Sequence, residues 1–168
     1  MPPFVQQSGK VTPGHLAQWD TTGVISDSGI PSSTQISPST IFLLNASGSA
    51  LKPGNAVYLS GSLAVSKAIA NSYATAGVIG LASGASLSNT NVLLMSFGYL
   101  TLSTTALWDA VTGQSGGLTV GALYFLDPST AGNITTSFPT TPGQVNTLIG
   151  KALSSTKMFI TLGDAVLL

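Results

Sequence analysis

Apolar residues fall along this chain in two regimes. Through residues 1–44 they stand singly: Phe4, Val5, Val11, Leu16, Trp19, Val24, Ile25, Ile30 and Ile36 alternate with polar residues and with Pro2, Pro3, Pro13, Pro31 and Pro38, and no helical period emerges. Within this region TTGVISDSG (21–29) reads as a turn, a short strand and a second turn. Such a segment cannot build a core of its own, and a flexible linker has no need of an apolar residue every few positions. It is therefore expected to be an extended arm laid on another surface, with Phe4, Val5, Val11, Leu16, Trp19, Val24, Ile25 and Ile30 as its contacts. Trp19 serves either as an anchor in that contact or as a cover over the chain's own folded part, since both uses bury its large ring.

From residue 45 to 168 the pattern becomes short apolar runs: NAVYLS, LAVSKA, AGVIGLA, NVLLMSF, YLTLS, LTVGALYFLD, NITTSF, VNTLIGKAL and KMFITLG, separated by Gly, Asn, Ser and Pro. Runs of this length, rich in β-branched and aromatic residues, predict an all-β domain, a small β-barrel or β-sandwich that hides its strand edges by closing or packing. STTALWDAV, around Trp108, is compatible with one short helix capped by Ser103 or Thr104, or with a loop.

Two stretches of the domain echo one another. Residues 54–98 and 121–163 match in order, Gly54 with Gly121, Tyr58 with Tyr124, Leu63 with Ile134, Ile79 with Ile149, Gly80 with Gly150 and Gly98 with Gly163. This predicts two similar β units, each with a strand after a glycine turn and a later apolar strand carrying Ile-Gly, where the missing side chain admits a bend or a close neighbour.

Charge narrows the function classes. All five basic residues are lysines and all five acidic ones aspartates, a charged fraction of 6% against roughly 25% in ordinary soluble domains. With no arginine and a net charge of zero, the chain lacks the usual equipment for nucleic acid. Its mean hydropathy of +0.43 combined with so little charge makes a poorly soluble lone monomer, so much of its surface is expected to be covered by other chains. The apolar runs are strand-sized, so no membrane span is expected, and the N-terminus has neither the basic start nor the apolar core of a signal peptide.

Candidate chemistry is sparse. GQSGG (113–117) matches the G-x-S-x-G of a hydrolase nucleophile elbow, but the single histidine, His15, precedes Ser115 instead of following it. His15 with Asp20 and Asp27 is thin material for a metal site, and both aspartates sit in ordinary turn sequences. NAS at Asn45 and NIT at Asn133 fit the glycosylation pattern without a secretion signal to give it meaning. No catalytic, cofactor-binding or metal residues are assigned, and no enzyme activity is expected.

GHLAQWDTTGVISDSGIP resembles N-terminal stretches of structural proteins in tailed bacteriophages, and KPGNAVYLS followed by ATAGVIGLA is similar to small capsid-decoration (cement) proteins. GALYFLDPSTAGNITTSFPTTPG with TLIGKAL also resembles repeats of phage tail fibres. The first resemblance implies a virion protein on the outer surface of the capsid, a homo-oligomer, commonly a trimer, bound to the major capsid protein. The second implies an alternative, a tail-fibre or head-fibre structural or receptor-binding module, for which Trp108-Asp109 is the candidate glycan contact.

Overall fold

The computed structural model describes residues 40–168 and, ahead of them, the backbone of two strands, β1 (His15–Trp19) and β2 (Ile25–Pro31). The chain divides into two compact units, Met1–Ser37 and Pro38–Leu168. In the first unit β1 and β2 pair antiparallel, Trp19 opposite Ile25 and Ala17 opposite Asp27. The expected turn at Gly29 is strand instead. Between the pairs Ala17–Asp27 and His15–Pro31, β2 carries two more residues than β1, so the glycine lies in a bulge.

The second unit begins before residue 44, the expected end of the arm. β3 (Thr40–Asn45) is a barrel strand, in which Leu43 and Asn45 are buried and Phe42 and Leu44 are exposed. It joins β4 (Ala56–Gly61), β5 (Ala64–Lys67), β6 (Val78–Ala82) and β7 (Asn91–Met95) in a closed barrel of order β3-β5-β4-β6-β7, with a four-residue helix α1 (Tyr73–Ala76) between β5 and β6. Only β3 and β5 are parallel. The chain then continues through β8 (Phe97–Thr101), α2 (Thr105–Thr112), β9 (Leu123–Leu126), β10 (Ile134–Thr135), β11 (Val145–Asn146), β12 (Leu148–Ala152), β13 (Lys157–Thr161) and β14 (Val166–Leu167). Five of these strands form an antiparallel sheet of order β10-β9-β12-β13-β8, and β11 pairs with β14.

Two cores result, and β4 and β6 serve both. Val57, Val65, Ala82, Val92 and Leu94 fill the barrel with Leu43 and Leu51. Ala56 and Leu81, the alternate residues of β4 and β6, face a second core with Leu100, Leu102, Trp108, Val111, Tyr124, Leu126, Ile134, Ile149, Met158 and Ile160. Strands buried on both faces read as continuous apolar runs, which is why AVYL and VIGLA lack polar alternation. β13 is covered on one face only and alternates as Lys157 out, Met158 in, Phe159 half-out, Ile160 in.

The strand order β5-β4-β6-β7 is repeated as β10-β9-β12-β13. In the first set β6 carries one extra residue against β4, and in the second β12 carries one against β9. Val57 faces Gly80 and Tyr58 faces Val78, leaving Ile79 between; Tyr124 faces Gly150 and Phe125 faces Leu148, leaving Ile149 between. The glycine beside each bulge has no room for a side chain: a Cβ on Gly80 would come 2.9 Å from the Met95 carbonyl oxygen, and one on Gly150 would strike that of Phe159. The register also shifts two of the expected correspondences. Three residues after Gly54 and after Gly121, both at positive φ, come Val57 and Tyr124, so Tyr124 answers Val57 and not Tyr58. Ile134, opposite Leu126, answers Val65, opposite Leu59, whereas Leu63 lies in the β4–β5 turn at φ 53°.

Candidate interaction surface

The loop that resembles a nucleophile elbow is held by a structural clamp. A hydrolase elbow runs from strand to helix, whereas GQSGG follows α2 and leads towards β9. The Asp109 carboxylate, on α2, accepts from the backbone N–H of Gly117 at 2.6 Å and of Gly116 at 3.3 Å, and both glycines have φ near +87° (86° and 88°). The Tyr124 hydroxyl, on a buried side chain, donates to Gln114 Oε1 at 2.7 Å and accepts from the Thr119 N–H at 2.8 Å. Asp109 thereby neutralises two inward amides of a tight turn. Ser115 stands at the exposed tip, and His15 belongs to β1 in the other unit.

Trp108 is not a surface aromatic. It is fully buried in the second core, and its indole Nε1–H donates to the Thr156 carbonyl at 2.9 Å. α2 is thus a packed helix, with Thr104 at its N-cap and Gly113 in the left-handed conformation at its C-cap. The Trp108-Asp109 pair, expected as a glycan contact, is occupied by these internal tasks. The NAS site at Asn45 is closed as well: the side-chain amide is buried and donates to the carbonyls of Ser49, Ser86 and Leu87.

The fold also leaves several large apolar side chains outward. On the outer face of the second sheet Phe97 and Tyr99 are 57% and 64% exposed, and the Phe159 ring lies against both, with centroids 5.4 and 5.3 Å away. In the same face Leu123 and Phe159 flank Lys151 across the register, and Phe125 meets Phe138 edge-on at 5.4 Å. A second exposed apolar group lies on the barrel, where Phe42 faces Leu93 and Leu44 faces Ala64, next to the exposed Leu63. Contiguous aromatic and aliphatic surface of this kind is the usual mark of a protein–protein contact, since fully burying one such side chain yields roughly 1.5–3 kcal/mol. Residue-by-residue reading missed these faces, yet a signal was present. FGYLT and KMFIT put Phe97, Tyr99 and Phe159 in one phase and Leu100, Met158 and Ile160 in the other, so large apolar side chains cover both faces of the sheet.

Of the arm residues, Leu16 and Trp19 fall in β1 and Ile25 and Ile30 in β2, while Phe4, Val5, Val11 and Val24 lie outside the described residues. Comparison with protein-family models and with curated protein sequences finds no match.

Proposed function

We propose that this chain is a virion structural protein of a tailed bacteriophage, which decorates the outside of the capsid as a trimer and clasps neighbouring major capsid subunits through its N-terminal arm. The observation that carries the reading is the exposed ring group of Phe97, Tyr99 and Phe159 on a well-packed sheet, in a chain with only ten charged residues. Such a surface favours permanent burial over life as a free monomer. Lacking arginine and glutamate, the protein grips by apolar side chains and strand pairing, and many tethered arms make weak single contacts collectively strong.

Quantitative mass spectrometry of purified particles tests the role. A decoration protein is present in hundreds of copies, on the order of one per few capsid subunits by the multivalent logic above, whereas a fibre module is present in a few. Deleting residues 1–30 should leave a folded oligomer that no longer binds shells. Undiminished binding by the truncated protein would remove the arm from the mechanism.

A further inference from the structure

β8 ends its sheet, and the hydrogen-bond phase of its ladder tells which backbone groups are left over. The Leu102 N–H donates to the Thr156 carbonyl, and Leu100 and Gly98 stand opposite Met158 and Ile160 in the same phase, so these residues direct their N–H and C=O groups at β13. The N–H and C=O groups of Phe97, Tyr99 and Thr101 point the other way, and no backbone partner of theirs lies among the described residues. The side chains of these residues share one face, on which Phe97 and Tyr99 are exposed and lie against the Phe159 ring.

Open edges invite a further strand, and proteins that keep theirs unpaired guard them with charges, prolines or bulges. β8 carries none of these guards. From Ser96 to Thr104 (SFGYLTLST) there is no charged residue and no proline, and the register to β13 runs without a shift from Phe97 to Thr101. The open residues are also symmetric about Tyr99. An antiparallel copy of β8 centred there sets Tyr99 opposite Tyr99 and Phe97 opposite Thr101 in both directions, all as hydrogen-bonded pairs, so every open group on either strand finds a partner. Centring the pair on Gly98 or on Leu100 would instead set Thr101 opposite Met95, or Phe97 opposite Ser103, outside the open set.

We propose that two copies of this chain join through β8, edge to edge and antiparallel about a two-fold axis at Tyr99, so that their five-stranded sheets run on as one. Because Phe159 stands opposite Tyr99 on the inner side, the rings form a row across the join, Phe159 and Tyr99 of one copy followed by Tyr99 and Phe159 of the other. Phe97 of each copy reaches the other's Tyr99 on the diagonal. Charge does not oppose the pairing. The chain is neutral overall, and Lys157, opposite Thr101 and one strand in from the edge, lies roughly 20 Å from its own copy, beyond the screening length of physiological salt. A two-fold contact sets one surface against itself, so it is additional to the three-fold association proposed for the capsid surface and does not rest on it.

The chain has no cysteine, so a single introduced thiol reports on this axis alone. In the full-length chain Tyr99→Cys, with about 5.5 Å between the Cα atoms of the two copies, should oxidise to a disulfide-linked dimer, whereas Thr101→Cys, with roughly 14 Å, should close at least about ten-fold more slowly. Thr101→Pro removes an outward N–H and leaves the ladder to β13 intact, and should weaken dimerisation at least about ten-fold in sedimentation equilibrium. A contact of this size belongs at the weak end of specific interfaces, so in the unmodified protein the amides of Phe97, Tyr99 and Thr101 should exchange with solvent at least about two-fold more slowly at roughly 100 μM than at roughly 1 μM protein. Equal closure of the two thiol variants, undiminished dimerisation of Thr101→Pro, or exchange at one rate across those concentrations would each overturn the proposal; uniformly slow exchange would do so by assigning the edge to a cover from its own chain. None of these outcomes depends on binding to a capsid.

Discussion

Asp109 shows how a motif with catalytic spelling becomes a structural part. In GQSGG, Gly116 and Gly117, both at positive φ, turn their N–H groups towards Asp109, and its one carboxylate collects both. A charge-assisted bond contributes about 1.5–3 kcal/mol where no other partner replaces it, and the exposed Gly116 N–H, 3.3 Å away, makes the weaker of the two. Asp109→Asn should therefore destabilise the fold by about 1–3 kcal/mol in chemical denaturation, and Ser115→Ala, at the exposed tip, by less than about 0.5 kcal/mol. The two glycines separate backbone strain from collision. A Cβ on Gly116 meets nothing, so Gly116→Ala carries only the left-handed penalty, about 1–2 kcal/mol. A Cβ on Gly117 would strike the Ser155 carbonyl oxygen and crowd Thr105, and Gly117→Ala should cost at least about 1 kcal/mol more than Gly116→Ala. Equal costs for the two would mean that the loop is not packed against Ser155.

Among the elements, the paired Ile-Gly strands carry the repeat. The sequence match at Ile79-Gly80 and Ile149-Gly150 has a common physical cause, a bulged isoleucine followed by a glycine pressed on the next strand's backbone. Gly150→Ala should cost about 2–3 kcal/mol, because the backbone of β13 cannot retreat without breaking its ladder to β8. Gly61→Ala, where the nearest atom is 3.8 Å from the new Cβ, should be neutral or slightly stabilising. The all-β class, the strand positions and this repeat were readable because alternation and glycine spacing are local. The exact equivalences were not, since Tyr58 and Tyr124 match as letters while the register aligns Val57 with Tyr124. β3 was hidden for a similar reason. IFLL follows a run of isolated apolar residues and looks like their continuation until the barrel supplies β5 and β7 on either side. Around Trp108 the sequence left a short helix and a loop open and did not show the ring as buried, because its burial depends on distant residues such as Thr156, which its indole meets.

At the scale of the whole molecule, the burial pattern bears on the proposed assembly. The inner face of the second sheet is consumed by the core shared with the barrel wall, and the outer face with Phe97, Tyr99 and Phe159 is the one that the proposed self-association would bury. Two rings lost from such a contact are worth a few kcal/mol, or roughly a hundred-fold in a dissociation constant. Phe97→Ser combined with Tyr99→Ser should therefore weaken self-association by about that factor in sedimentation equilibrium, while the unfolding free energy of the subunit changes by no more than about 2 kcal/mol, the loss of ring stacking on Phe159. The ionic-strength response distinguishes the kind of force. With five lysines and five aspartates in the whole chain, there is little for salt to screen, and raising salt from about 0.05 to 0.5 M should leave association unchanged or tighten it. Dissociation on adding salt would assign the contact to Lys151 and Lys157, which share the aromatic face, and would leave the rings as bystanders.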